Sequence, residues 1–273
     1  MRVYISSDME GTAGIVDWDQ CRGPGPEYEL GRRLLLAEVN AAIDGAVAAG
    51  ATHILVNDSH SVMQNLPADG LHGNASYLSG RQKPTYMMEG LDGSFDAVLF
   101  ISYHAAMGTR GVLSHTYNPR AIHEARLDGQ VAGESGINAL VARHFGVPVV
   151  LVTGDQHVGP EAQRFCPGID AVIVKRSITR FAAESLHPAV ACELIRAGSE
   201  RAVRRAGTAA VPAHHDSGRL EVDWLTADMA AMAAGVPGVV QTAERTTCVE
   251  GENLLAVYHL FVTTVELTRS IVE

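Results

Sequence analysis

Asp8 and Glu10 stand two residues apart, immediately after the apolar run Val3-Tyr4-Ile5. Residues i and i+2 of a strand point to the same side, so both carboxylates can converge where the chain leaves that strand. Convergent carboxylates repel unless a proton or a cation joins them. Two further apolar runs end in related chemistry. His53-Ile54-Leu55-Val56 leads into Asn57-Asp58-Ser59-His60, and the run from Ala97 to Ser102 leads into Tyr103-His104. His115 follows in the next loop. Glu134 opens a later helix, where the helix dipole favours a carboxylate that can point back at the same edge. Asp, Glu and His without a thiolate suit zinc, manganese, cobalt or iron. This donor set is larger than one four-coordinate ion needs. Two ions about 3.5–4 Å apart, bridged by an Asp, would relieve the repulsion and suit the hydrolysis of amides or phosphates. Asp58 has a second reading, because Asn57-Asp58-Ser59 also fits turn chemistry in which side chains bond the backbone. Asp155 ends another apolar run and reads as a loop residue behind the others. The other nine histidines, His214 and His215 among them, read as structural or surface residues.

Positioning these groups requires a regular framework. Val3 to Ile5, His53 to Val56, Ala97 to Ser102, Val147 to Thr153 and Ala171 to Lys175 read as strands. The segments Glu27 to Ala49 and Gly133 to Phe145 read as helices, each stopped by a glycine, and a short helix is expected around Glu161 to Phe165. Strands alternating with helices predict an α/β fold with a mostly parallel sheet flanked by helices. Continuous apolar runs mark strands covered on both faces. In such sheets ligands bind beyond the carboxyl ends of the strands, where the Asp, Glu and His residues lie. Ile122 to Leu127 and Gln130-Val131 form a hairpin about Asp128-Gly129. From about Ser185 the pattern changes. A helix starts at Pro188, Gly207 to Gly218 reads as loop, and Arg219 to Leu225 alternates as a half-exposed strand. One more strand is expected over Val239 to Thr247, then a final helix over Asn253 to Ser270. The expected division is therefore residues 1–184 as an α/β catalytic domain and 185–273 as a smaller α+β domain or sheet extension.

The 273 residues are 47% hydrophobic and 19% charged, enough to bury a sizeable core. A net charge of -10 without a basic run argues against nucleic acid or an anionic membrane surface as partner. No apolar stretch approaches the roughly 20 residues of a membrane span. The start of the chain lacks the basic and apolar regions of a signal peptide, so a cytoplasmic location is expected. The four cysteines are scattered and read as free thiols.

Ser7-Asp8-Met9-Glu10-Gly11, Val56-Asn57-Asp58-Ser59-His60, Tyr103-His104-Ala105, Ser114-His115 and Gly133-Glu134 resemble the signatures of the D-aminopeptidase DppA family, the M55 metallopeptidases. Lys83-Pro84 and Glu89-Gly90-Leu91-Asp92 resemble it as well. The match covers most of the chain and is weaker in the last third. The resemblance implies two zinc ions per subunit, with Asp8 bridging them and Glu10, His60, His104 and Glu134 completing the ligand set. It implies that His115 is the catalytic residue. It also implies a homodecamer of two stacked pentameric rings whose inner chamber admits only short peptides.

The expected function is a binuclear zinc aminopeptidase that releases N-terminal residues, D-residues by resemblance, from short peptides. Beside metal-activated water, His115 would stabilise the oxyanion or protonate the leaving amine. Two rivals stay open. One is a metal-dependent phosphoesterase, for which Arg81, Lys83 and Arg110 lie in suitable loops. The other is a non-catalytic protein that binds peptide or metal.

Overall fold

The computed structural model describes residues 1–73, 75–211 and 218–271. The segment with His214 and His215 lies outside them. In chain order the strands and helices are β1 (Arg2–Ser7), α1 (Pro26–Ala48), β2 (His53–Asp58), β3 (Ala75–Leu78), β4 (Ala97–Ile101), β5 (Ile122–Leu127) and β6 (Gln130–Val131). There follow α2 (Glu134–His144), β7 (Val149–Asp155), α3 (Val158–Ala162), β8 (Asp170–Thr179), β9 (Ala182–Ser185) and α4 (Pro188–Arg205). The chain ends with β10 (Gly218–Trp224), α5 (Ala227–Ala234), β11 (Val240–Ala243), β12 (Thr246–Gly251) and α6 (Leu254–Thr268).

Seven strands form the main sheet in the order β3-β2-β1-β4-β7-β8-β9. All neighbours pair in parallel except β8 and β9. The order reverses between β1 and β4. Such a switch point leaves a crevice at the carboxyl ends of the two strands, because their following loops depart in opposite directions. Alternation along the strands divides the core. Val3 and Ile5 of β1, with Ala97, Leu99 and Ile101 of β4, face Leu35, Val39 and Ile43 of α1 and Ile195 of α4. Tyr4, Val98 and Phe100 face the other way, in a core shared with α2, α5, α6 and the second sheet, including Trp224, Tyr258 and Phe261. The α/β architecture expected from the alternating pattern is therefore present.

The second sheet is antiparallel, in the order β11-β12-β10-β5-β6. Its strands come from both sides of residue 184, and α4 packs on the main sheet. The division expected at 184/185 thus does not coincide with the division between the sheets, because strand pairing joined segments far apart in sequence. The single strand expected over Val239 to Thr247 is the two strands β11 and β12. The antiparallel edge strand β9 had no counterpart in the sequence reading. The four cysteines are free thiols.

At the switch point the loops stay in register past the strand ends. Asp8 N–H donates to Ile101 O (2.9 Å), Gly11 N–H to Ser102 O (2.8 Å), Ser59 N–H to Ser7 O (2.9 Å) and Tyr103 N–H to Thr153 O (2.9 Å). Gly11 has to be glycine, since a Cβ there would lie 2.1 Å from Tyr103 O and 2.4 Å from Ser102 C. Ser102 itself has a φ of 62°, a left-handed conformation that turns the chain from β4 towards His104.

Candidate metal centre

Each sequence-predicted site residue reaches the switch point from its own element. Asp8 and Glu10 leave the end of β1, His60 follows β2, and His104 follows β4. His115 lies in the loop before β5, and Glu134 is the first residue of α2. All six are buried, none more than 7% exposed. The Nδ1 atom of His60 lies 3.1 Å from Asp8 Oδ1 and 3.0 Å from Glu10 Oε2. The Nε2 atom of His104 lies 3.3 Å from Asp8 Oδ2 and 3.3 Å from Glu134 Oε1. Asp8 thus presents one carboxylate oxygen to each of two histidines. His115 stacks on His104 at a ring separation of 4.0 Å, and its Nε2 lies 3.6 Å from Glu134 Oε1. Two overlapping groups of donor atoms result, Asp8–Glu10–His104 and His104–His115–Glu134, each within 4.8 Å.

The outer nitrogens of the three rings fix which atom faces inwards. Cys21 O lies 2.9 Å from His60 Nε2, Ala105 O lies 3.0 Å from His104 Nδ1, and Leu113 O lies 2.9 Å from His115 Nδ1. A carbonyl only accepts, so each outer nitrogen carries the hydrogen. In the neutral ring the inward nitrogen then offers a lone pair. Three lone pairs and three carboxylates converge in a buried space, an arrangement that needs a cation. Asp8 Oδ2, both Glu10 carboxylate oxygens and His104 Nε2 are buried without a hydrogen-bond partner among the described residues. The oxygen and nitrogen donors fit zinc, which takes carboxylate and imidazole together.

The electrostatics express the same demand. Burial alone would raise the pKa of Asp8, but the imidazoles of His104 and His60 beside it outweigh burial and hold the carboxyl well below its ordinary range. Glu10 is lowered as well, its burial overcome by the charge of His60. Glu134 is raised, chiefly by burial, and the neighbouring Asp8 carboxylate adds to the rise. Burial depresses His60 and His104, yet the surrounding carboxylates raise both far above the usual imidazole value. His115 goes the other way, lowered by burial and by the charge of His104 beside it.

Residues behind the donors hold them in place. Glu161 accepts from Gly133 N–H (3.0 Å), Ala106 N–H (2.8 Å) and Ser135 Oγ (3.2 Å), which ties the start of α2 to the loop after His104. Glu134 Oε1 accepts from Tyr117 N–H at 2.7 Å. Lys175, 2% exposed, donates to the carbonyls of Glu10 (2.5 Å), Thr12 (2.8 Å) and Ile15 (2.7 Å). Glu38 accepts from Ala13 N–H (2.8 Å) and Ser102 Oγ (2.8 Å). The sequence reading missed all three. The available signal was a charge inside an apolar pattern: Glu38 on the buried face of α1 between Leu35 and Val39, and Lys175 directly after Val172-Ile173-Val174.

Two acids resolve differently. Asp58 does not join the cluster, since its carboxylate accepts from Asn65 N–H, Leu66 N–H and Asn65 Nδ2 at 2.6–2.9 Å. Its role is the turn chemistry of the second reading. Asp155 accepts from Val112 N–H (2.8 Å) and His157 N–H (2.9 Å), and so anchors the loop that carries His115.

A cleft of about 350 Å³ opens over the cluster, lined by Asp8, Glu10, His60, His115 and Glu134 with Arg22, Arg120 and Arg269. The basic residues expected for a phosphate ligand, Arg81, Lys83 and Arg110, do not line it. The Lys83 ammonium instead bonds Asn57 Oδ1 (2.6 Å) and Asp58 O (2.7 Å).

The peptidase M55 family model, described as D-aminopeptidase, matches residues 1–263. A D-aminopeptidase of Bacillus subtilis (strain 168) is 34% identical over 268 residues, covering 98% of this chain and 97% of that protein. Among solved structures, the zinc-dependent D-aminopeptidase DppA of Bacillus subtilis, described as a self-compartmentalizing protease, superposes with a TM-score of 0.92. It is 33% identical, and the match covers 98% of each chain.

Proposed function

The chain belongs to the M55 family of D-aminopeptidases and is a peptidase; from that premise we propose that it is a binuclear zinc aminopeptidase releasing N-terminal D-residues from short peptides. Asp8, Glu10, His60, His104 and Glu134 would hold two ions, with Asp8 shared between them. The observation that carries this reading is the set of three imidazoles with outer N–H groups on main-chain carbonyls and inner lone pairs aimed at three buried carboxylates. Bound there, the ions supply Lewis acidity that polarises a peptide carbonyl and lowers the pKa of water.

The chain's own residues do the rest. His115 is kept neutral by burial and by His104, and its Nδ1 hydrogen is fixed on Leu113 O. Its Nε2 faces the cleft as an acceptor. It takes the proton of the attacking water and returns it to the leaving amine nitrogen, so the peptide C–N bond breaks without expelling an amide anion. Trp18 meets the His115 ring edge to face at 5.3 Å and limits its rotation. Asp8, Glu10 and Glu134 supply the negative charge that retains the cations and attracts the ammonium group of the substrate.

By relation to the self-compartmentalizing DppA, the chain would assemble as a homodecamer with its clefts on an inner chamber. No helix among the described residues is long and apolar enough to cross a membrane, and a cytoplasmic location is part of the same proposal. The test is the His115→Ala variant with a D-alanyl peptide. Hydrolysis is lost while elemental analysis still finds about two metal ions per chain. Retained turnover removes His115 from the mechanism. Wild-type activity that survives exhaustive chelation refutes the metallopeptidase reading.

A further inference from the structure

The cleft carries positive charge that this reaction does not use. Its floor is anionic, yet Arg22, Arg120 and Arg269 line its sides. Arg269 is committed to Glu266 (3.3 Å) and to the Tyr86 hydroxyl. Neither Arg22 nor Arg120 pairs with a carboxylate among the described residues, and Arg22 is the one seated on the ring beside His115. Its guanidinium lies over the indole of Trp18, 4.3 Å from the ring centroid, and Trp18 is the ring that contacts His115. A second guanidinium, Arg180, lies over the same indole at 5.8 Å. It too lacks an ion pair among the described residues, and its Nε is buried without a hydrogen-bond partner.

Arg180 is held in place by the main chain. Its carbonyl accepts from Leu113 N–H at 2.8 Å, and Leu113 O in turn receives the His115 hydrogen. Burial and the nearby charge of Arg22 both lower the Arg180 pKa. Two cations gathered on one ring, with no carboxylate paired to either among the described residues, repel. The repulsion is relieved when an anion bridges them, and a planar guanidinium fork matches a carboxylate with two parallel hydrogen bonds.

Resting on the peptidase reading, we infer that Arg22, with Arg180 behind it and Trp18 as its platform, binds the C-terminal carboxylate of the peptide. The enzyme would then select peptides by length. In a dipeptide the carboxylate lies one residue beyond the scissile bond and can reach a group one ring away from His115. Each added residue carries it about 3.3–3.6 Å further along an extended chain. The site recognises the free acid, independently of the side chain next to it.

The experiment compares a D-alanyl dipeptide with its C-terminal amide. In the zinc-loaded wild type, kcat/KM favours the acid by about 10- to 100-fold, the value of a hydrogen bond to a charged group. Arg22→Gln and Arg180→Gln reduce that preference to about threefold or less, mainly through KM, and Arg22→Lys restores part of it. A second readout avoids turnover: calorimetry with the His115→Ala variant finds the acid bound more tightly than the amide, and Arg22→Gln in that background removes the difference. Equal handling of acid and amide by the wild type overturns the inference. So does a full preference retained in Arg22→Gln, or inorganic phosphate bound more tightly than the acid. If the wild type cleaves no peptide, the peptidase reading fails, and the calorimetric comparison still decides whether the carboxylate site exists.

Discussion

Replacing Lys175 with methionine tests whether the loop bearing Glu10 is held from beneath by a single ammonium group. Methionine preserves much of the length and volume of the side chain but donates nothing. The carbonyls of Glu10, Thr12 and Ile15 then lose a donor in a buried setting. Thr12 O keeps a second donor, Ile15 N–H at 3.2 Å, so the acceptors left bare are Glu10 O and Ile15 O; at about 1–3 kcal/mol each they amount to roughly 4 kcal/mol. Removing the ammonium recovers its own desolvation cost. Burial pushes the Lys175 pKa from 10.5 down to about 8. That depression corresponds to about 3 kcal/mol, leaving a net loss of about 1 kcal/mol below pH 8. The assay is urea unfolding of chelated protein at fixed concentration, so that neither metal binding nor assembly shifts the midpoint. The pH dependence supplies a second check. Below about pH 8 the amine is charged in both states and the desolvation cost is fully present. Between about 8 and 10.5 the folded chain releases a proton that the unfolded chain keeps, so wild-type stability gains from this group as pH rises. The variant lacks that gain, and its deficit widens across the same window. A variant more stable than the wild type at pH 7, or a deficit that narrows with pH, would refute the reasoning.

Two further outcomes follow from the same framework. Gly11→Ala forces a Cβ to 2.1 Å from Tyr103 O and 2.4 Å from Ser102 C, backbone atoms that cannot yield. It should cost about 3 kcal/mol or more and lower kcat/KM about a hundredfold by displacing Glu10; unchanged thermal midpoint and activity would contradict this. Burial raises the Glu38 pKa from 4.5 to about 7. The folded chain therefore keeps a proton between those values that the unfolded chain releases, and Glu38 weakens the fold progressively as pH rises from about 4.5 to 7. Glu38→Gln removes this slope. Measured by urea midpoints, the variant should gain on the wild type by up to about 3 kcal/mol between pH 5 and pH 8, and parallel pH profiles would rule the account out.

The donor residues were legible because an α/β sheet collects its strand ends at one edge. Asp8, His60 and His104 each terminate an apolar run, and that local pattern carries their convergence. Glu134 was legible as an acid at a helix start. What stayed hidden depends on pairing across long separations. Nothing in the run Ile122 to Leu127 announces that it pairs with β10 in a second sheet. Lys175 reads as an ordinary strand end until the loop of β1 is folded against it, 165 residues away from Glu10. Asp58 shows the converse: its position matched the ligand pattern, and only the loop at Asn65 and Leu66 reveals that its oxygens are taken. Arg22 lies in a loop of glycine and proline, where sequence alone does not say which wall the side chain will line.

The histidines at this centre are oriented by the main chain, with their outer hydrogens on the carbonyls of Cys21, Ala105 and Leu113. Many metal sites use a carboxylate in that position, and a point mutation can delete a carboxylate. No side-chain substitution deletes a carbonyl. The tautomers of His60, His104 and His115 are therefore inherited with the path of the backbone and are insulated from mutational drift at the residues supplying the acceptors. Substitutions at Cys21, Ala105 and Leu113 that their packing tolerates leave the acceptors intact as long as the loops keep their course. Divergence in this chain can then accumulate along the walls of the cleft, and a new substrate preference can arise there without retuning the imidazoles beneath it.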